Sequence, residues 1–516
     1  MHVATKSLGL LVAVVAGTTA PLFSQMASPA PIRKAAETIT AEDLHGRLAI
    51  IADDSMMGRA TPSPGLEMTA QYVADQFKRF GLTPGGENGT WFQRYPLEQR
   101  VTAVEQSHVG FMAGGQHVHA DFITDARVLR GPSAPGEVKG DVYLIGGSID
   151  AGKIDAAMAA GKIVVVVTDY SKGVRNARVQ MFRVAGALRN AAPKGIILLA
   201  NQNATDFARE AAGQARPSVS LPSPRGPASG FPVVEVHDRA VGSILKAAGV
   251  DLSAIRSADH TVARVVAGLT AGIDVQQRSE PTSAPNAIGI LEGTDPTLKQ
   301  EYLVYSAHMD HIGITPGEVD SINNGADDDG SGTVTVVELA EAFSQPGARP
   351  KRSIVFITVS GEERGLWGSR YFSEHPTVPL DRMVANLNID MVGRNWTDTV
   401  VAIGKEHSDL GATLARVNAR HPELNMTAID DIWPEENFYS RSDHFNFARK
   451  GVPILFFFTG VHPDYHRVSD EVDKIDSEKM ARIGRLLFYL GQDIANAPER
   501  PVWNPESYKK IVQTDN

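Results

Sequence analysis

The segment Tyr302-Leu303-Val304-Tyr305-Ser306-Ala307-His308-Met309-Asp310-His311 decides the reading of this chain. A short strand-like run of apolar and aromatic residues ends in a cluster of imidazole and carboxylate side chains. Two more clusters sit in comparable places. Gly325-Ala326-Asp327-Asp328-Asp329-Gly330-Ser331-Gly332 leads into a helical pattern, and Ser360-Gly361-Glu362-Glu363 follows the apolar run 354–359. An open α/β sheet gathers its functional loops at such strand ends. Strands are expected at 287–291, 302–307, 354–359, 383–389 and 452–458, and helices at 333–343, 410–420 and 479–496. Their alternation predicts an α/β fold, a mostly parallel mixed sheet flanked by helices.

Working outward, the bulk composition sets limits. A chain of 516 residues, 42% hydrophobic and 21% charged, is ordinary globular material with room for two or three domains. Its formal charge of −10 gives no electrostatic reason to expect nucleic acid as a partner. A weakly basic start, an apolar run over 8–17 and then small residues and prolines have the layout of an export signal, expected over 1–28. No later segment is long and apolar enough to suggest a membrane span, so a secreted or periplasmic location is expected. There is no cysteine, so any metal here must be held by His, Asp and Glu.

Between the signal and the central alternation the texture varies. A helix is expected over 41–53 with Thr40 as its N-cap, another over 68–80, and strands at 91–101 and 107–112. Short continuous apolar strands then recur at 141–145, 162–167, 195–199 and 231–236, with helices at 179–192 and 240–248 and a surface loop at 214–230. That block lacks His, Asp and Glu at ligand-like spacing and reads as an inserted accessory domain. The expected division is a signal over 1–28, the first part of the catalytic domain over 36–130, and an insert over 131–268. The rest of the catalytic domain would follow over 269–500, with a tail over 501–516.

Taken singly, the polar clusters are weak signals: a lone His is more often structural, and aspartates at a helix start are favoured anyway. Their joint occurrence at consecutive strand ends carries the weight. Zinc takes imidazole nitrogen and carboxylate oxygen, and two neighbouring zincs need a shared carboxylate between them. Such a centre asks for about two histidines, three carboxylates and one free carboxylate as a base. An adjacent Glu pair suits the last requirement, because neighbouring side chains on an extended turn point apart.

The motifs His308-Met309-Asp310, 325–332, Gly361-Glu362-Glu363-Arg364-Gly365-Leu366-Trp367-Gly368-Ser369, Asn388-Ile389-Asp390-Met391-Val392-Gly393 and Asp464-Tyr465-His466 resemble, in order, those of the M28 co-catalytic zinc peptidases. This family includes secreted bacterial aminopeptidases, and the resemblance covers about 287–487. It implies two Zn2+ per chain, the first held by His308, Asp328 and Asp390, the second by Asp328, Glu363 and His466. It also implies Glu362 as general base, Asp310 as hydrogen-bond acceptor from the distal nitrogen of His308, and Tyr465 as donor to the oxyanion. A cis peptide before Asp329 is a further expectation. The segments Gly58-Arg59 and Phe80-Gly81-Leu82-Thr83-Pro84 are similar to bacterial members, and the insert resembles a protease-associated (PA) domain.

The implied substrate is the N-terminus of a peptide or protein. A carboxypeptidase or dipeptidase on the same fold would instead need a cation for the substrate carboxylate, with Arg364, Arg370, Arg394 and Arg441 available. A glutaminyl cyclase would use one zinc, which a full set of five ligands disfavours, and a non-enzymatic binding protein would not keep the base. Ser442-Asp443-His444 has serine-hydrolase residue types, but contiguous side chains cannot form a relay, and neither Gly-x-Ser-x-Gly nor His-Glu-x-x-His occurs. His311 lies beside the ligand motif, but the family pattern does not use it. Trp433, Phe438 and Tyr439 are candidates for an apolar specificity pocket, with core packing as their alternative.

Overall fold

The computed structural model describes residues 28–130, 136–188, 191–213, 217–222, 231–315 and 319–513. The expected export signal therefore lies, apart from Ser28, outside the described residues. Among the described residues no helix is long and apolar enough to cross a membrane. The chain divides into two compact units, one built from residues up to Gln93 together with those from Asn286 onward, the other from Arg94–Pro285.

The first unit is a mixed α/β structure. Its strands are β1 (Gln277–Leu291, entering this unit at its C-terminal end), β2 (Tyr302–His308), β3 (Ser353–Val359), β4 (Met383–Ile389), β5 (Thr399–Ile403), β6 (Thr427–Ile429) and β7 (Ile454–Phe458). They lie side by side in the order β6-β5-β7-β4-β2-β3-β1. The central neighbours β7, β4, β2 and β3 are parallel, whereas β5 runs antiparallel to β7 and β1 antiparallel to β3. Parallel neighbours need crossover connections, and here helix Gly332–Ser344 joins β2 to β3 and helix Trp367–Glu374 joins β3 to β4. Strands covered on both faces read as continuous apolar runs. That is why Leu303–Tyr305 and the whole of β3 are buried and were legible without alternation.

Helix Gly332–Ser344, expected over 333–343, is almost wholly buried, including Thr333, Thr335 and Glu338. It packs against helices Ala41–Ile51 and Ser477–Asn496. Thr40 caps the former by accepting from Asp43 N at 3.1 Å. The expected C-terminal tail instead carries helix Pro505–Ile511 and Trp503, whose Nε1 donates to Gly451 O at 2.8 Å.

The second unit holds an eight-stranded sheet. Its parallel centre is Val138–Gly147, Ile163–Val167, Gly195–Ala200 and Val233–His237. Antiparallel strands Thr261–Asp274, His108–Ala113, Gln116–Asp121 and Ala126–Arg130 extend it on both sides. The unit is therefore wider than the insert expected over 131–268. Residues 94–130 were assigned to the catalytic domain, but strands His108–Ala113, Gln116–Asp121 and Ala126–Arg130 pair within this second sheet and residues Val109, Phe111, Ala120 and Phe122 join its apolar core, while Phe92–Thr102 stays in the first sheet. The expected surface loop over 214–230 contains a short strand, Ser218–Ser220, paired with Glu98–Arg100.

Candidate metal centre

Strand β2 delivers His308 to the C-terminal edge of the parallel sheet, almost fully buried. Its Nε2 lies 3.3 Å from Asp328 Oδ1 and 3.7 Å from Asp390 Oδ1. On the far side of Asp328, His466 Nε2 sits 3.1 Å from Asp328 Oδ2 and 3.1 Å from Glu363 Oε2. The five residues predicted as ligands thus converge, with Asp328 between the two imidazoles and one oxygen turned toward each.

The acidic triplet divides its work. Asp329 is a brace: it accepts from His308 N at 3.1 Å, Gly332 N at 2.8 Å and Met391 N at 3.1 Å, tying together the ends of β2, the helix and β4. Asp327 accepts from Gly393 N at 2.6 Å. The Asp470 carboxylate receives the amides of Asp327 and Asp328 at 3.0 and 3.1 Å. Of the three, Asp328 faces His308 and His466, while Asp327 Oδ2 lies 3.3 Å from His462 Nε2. The Asp328–Asp329 peptide is cis, as expected. The turn needs glycine at 325: φ is +56°, and a Cβ there would lie 2.3 Å from Asp328 O and 2.5 Å from the His311 ring.

Asp310 departs from its predicted contact. Its carboxylate is 3.8 Å from His308 Nδ1, and the ring nitrogen instead faces the Asp310 main-chain oxygen at 3.1 Å. The carboxylate is already engaged, accepting from Thr61 Oγ1 at 2.9 Å and Glu362 N at 3.2 Å, while Thr61 Oγ1 accepts from Gly361 N at 3.0 Å. Asp310 therefore fixes the His308 ring with its backbone and the Glu362 turn with its side chain. Ser442 has a comparable role: its hydroxyl donates to Asp390 Oδ2 at 2.8 Å and accepts from Asn388 Nδ2 at 3.1 Å. Behind the loops, the fully buried Arg59 donates to the carbonyls of Met309, Ile51, Asn324 and Gly325 at 2.6–2.9 Å.

The electrostatics follow from packing acids and bases out of water. Burial disfavours charge on His308, but Asp390, Glu362 and Asp328 outweigh it and hold the imidazole well above its usual range. Burial likewise opposes charge on His466, yet Asp328 and Glu363 push it up to about 10. Burial drives Glu362 well above the usual carboxylate range, with His308 opposing and nearby carboxylates adding to the rise. Asp328 and Glu363 move the other way, because their histidine neighbours overcome burial.

A cleft opens over this cluster, lined on its polar side by His308, Asp328, Glu362 and Asp390. Phe438, Phe456, Phe458 and Val461 supply apolar wall, and Tyr465, Arg441 and Ser442 also reach it. Of the predicted pocket residues, Phe438 lines the cleft. Trp433 packs behind it against Phe438 and Phe458, and Tyr439 stacks edge-on to His444. Tyr465 lies flat against His466, ring centres 3.9 Å apart. Sequence reasoning passed over Thr61, Asp470 and Arg59 as supports of these loops, and treated Ser442 and His311 as bystanders. No spacing rule pointed to Thr61 or Asp470, whereas His311 was visible and set aside.

Metal fits these residues. Two bonds of about 2.0–2.1 Å at tetrahedral angles separate ligand atoms by roughly 3.3–3.4 Å, close to the 3.1–3.7 Å separations here. Two groups of donors converge closely enough to hold an ion, His308–Asp328–Asp390 and His311–Asp328–Glu363. Asp328 Oδ2 and Glu363 Oε1 are buried with no hydrogen-bond partner, a costly condition that a cation relieves.

Comparison with known proteins agrees. Residues 286–491 match peptidase family M28. That segment is an M28 peptidase domain. The chain is 28% identical over 231 residues to aminopeptidase YwaD of Bacillus subtilis, covering 42% of the chain and 46% of the relative. It is 27% identical over 254 residues to a probable leucine aminopeptidase of Arthroderma otae, covering 47% and 67%. The match thus spans about half the length of the first of these relatives. Among solved structures, an aminopeptidase from Aneurinibacillus sp. strain AM-1 superposes with a TM-score of 0.51 at 18% identity, over 92% of this chain and 98% of that one. A zinc aminopeptidase from Bacillus subtilis gives 0.50 at 17%, over 90% and 97%. At these identities the structures establish a shared fold.

Proposed function

We propose that this M28 protein is an exported aminopeptidase that binds two zinc ions and releases N-terminal residues from peptides. The convergence of His308, Asp328, Asp390, Glu363 and His466 around a shared Asp328, with Glu362 free beside them, carries the reading. His308, Asp328 and Asp390 would hold one ion and Asp328, Glu363 and His466 the other. Bound zinc supplies Lewis acidity that polarises the scissile carbonyl and acidifies the attacking water.

The remaining work falls to side chains. Glu362 takes the proton from the attacking water and returns it to the leaving amine. Its raised proton affinity suits both halves of that task. Burial keeps the Tyr465 phenol protonated, so its hydroxyl can donate to the developing oxyanion. Asp310 and Thr61 hold the Glu362 turn, and the phenylalanine wall suits an apolar side chain of the terminal residue. The names of the sequence relatives, aminopeptidase and leucine aminopeptidase, support the same reading. We read the 94–285 unit as a PA-like accessory domain and residues 1–28 as an export signal.

One observation favours a second reading. Arg441 reaches the cleft, where a guanidinium could receive a substrate carboxylate as a carboxypeptidase or dipeptidase requires. Its Nη1 lies 3.4 Å from Glu436 and its charge rests over the Phe438 ring, so it already has partners. Rates on a leucyl anilide with a free amine, its N-acetyl form and a C-terminally amidated dipeptide separate the readings. The free-amine anilide and the amidated dipeptide should be cleaved and the acetylated anilide refused. Equal cleavage of the acetylated anilide would sink the aminopeptidase assignment.

A further inference from the structure

His311 occupies an unusual position. It is 1% exposed, and neither ring nitrogen has a hydrogen-bond partner. Its Nδ1 nevertheless lies 2.8 Å from Glu363 Oε1 and 3.8 Å from Asp328 Oδ2. At 2.8 Å a well-directed N–H···O contact would be a strong hydrogen bond. The atoms do not line up for one, and Glu363 Oε1 is likewise unpartnered. Two donors close together but not aimed at each other are what a shared cation produces, since each lone pair points at the ion rather than at its neighbour.

The ring is also held in place. Gly325 lies so close that a Cβ there would meet His311 Cδ2 at 2.5 Å, and His311 N donates to Arg59 O at 3.3 Å. The His466 ring stands edge-on to it, centres 5.7 Å apart. His466 has a side chain 37% exposed on a residue with φ +56°, whereas His311 is locked inside.

We propose that His311 is a further metal ligand, donating Nδ1 to the second ion together with Asp328, Glu363 and His466. The inference rests on the two-zinc reading and adds a sixth protein ligand to it. Zinc accepts a fifth donor, so the extra imidazole leaves room for water. The second position then carries two imidazoles of opposite character, one buried and permanent, the other exposed at the mouth of the cleft. The first position has one.

X-ray absorption on the zinc-loaded wild-type chain, with zinc counted by elemental analysis, tests the assignment without a variant. Three imidazoles shared by two ions average 1.5 per zinc, against 1.0 if His311 stays out. Two zincs per chain with 1.0 imidazole each overturns the His311 assignment alone, and fewer than two zincs overturns the two-zinc reading with it. In the Co2+-substituted His311→Gln chain, the visible absorption of one ion should change, and chelator competition should show one of two ions held about 100-fold more weakly. An unchanged spectrum with unchanged competition in a variant that melts like wild type would also overturn it.

Discussion

Both units of the chain place polar residues at the C-terminal ends of parallel strands, yet they treat them differently. In the second unit these groups are paired. Glu235 is 1% exposed but accepts from Arg127 Nε at 2.6 Å and Tyr170 OH at 2.5 Å, and Arg256 holds Asp238 at 2.5 and 2.9 Å. Among the described residues every buried side-chain polar atom without a hydrogen-bond partner belongs to the first unit, and Asp328, Glu363 and His311 are among them. A strand end with buried charge is therefore no mark of a site in itself. The mark is charge left without a partner, a cost of about 1–3 kcal/mol per neutral group and more for ions. A fold retains that cost where a ligand removes it.

The largest expected effect tests whether the unpaired groups serve reaction rather than stability. Glu362→Gln should lower kcat by about three orders of magnitude while both zincs remain bound. Because burial already resists a charge on Glu362, the neutral amide should leave the melting temperature unchanged or raised. A variant that keeps its rate removes Glu362 from the role of base. One that loses both zinc and stability would make it a structural group, like those of the second unit.

What could be read in advance follows the same division. The ligands were legible because each sits in a local motif at a strand end, and the motif survives without knowledge of the packing. Strands β2 and β3 were legible because burial on both faces leaves a nearly continuous apolar run, and β4 shows the same burial although Asn386 and Asn388 interrupt its apolar residues. The boundary at 94 was not, because strand Phe92–Thr102 begins in one unit and ends in the other with no loop between. Nor could sequence tell that Asp310 offers its backbone to His308 and its carboxylate to Thr61 and Glu362. That choice depends on loops far apart in the chain. His311 was visible, but its buried and unpartnered state exists only in three dimensions.

A smaller effect sharpens the comparison with an unpartnered group placed away from the metal centre. His444 is fully buried, stacked on Phe456 at 4.4 Å with Nε2 2.8 Å from Tyr439 O, and its Nδ1 has no partner. Burial pushes its pKa down to about 3 from 6.5, against the pull of the Tyr439 carbonyl. The unfolded chain therefore binds the proton first. The stability due to the neutral ring is complete above about pH 6.5 and is lost as pH falls toward 3, on the order of a few kcal/mol. Urea midpoints of wild type and His444→Gln across that window should converge as pH falls. A constant difference would show that the ring never resists protonation.

The smallest effect concerns the paired side. Glu235→Gln removes one charge from the Arg127–Tyr170–Glu235 cluster while keeping its shape, and Arg127 retains Glu210 as a second partner. The loss should be about 1–3 kcal/mol of stability in the second unit, the usual cost of weakening a buried charged contact, with zinc content and kcat unchanged. Hydrogen exchange should place it in the strand Val233–His237 and its neighbour Gly195–Ala200. If Glu235→Gln instead lowered kcat with no change in exchange there, paired and unpaired charge would no longer separate structure from chemistry in this chain. Glu235 would then have to be counted with the reacting groups despite its complete set of partners.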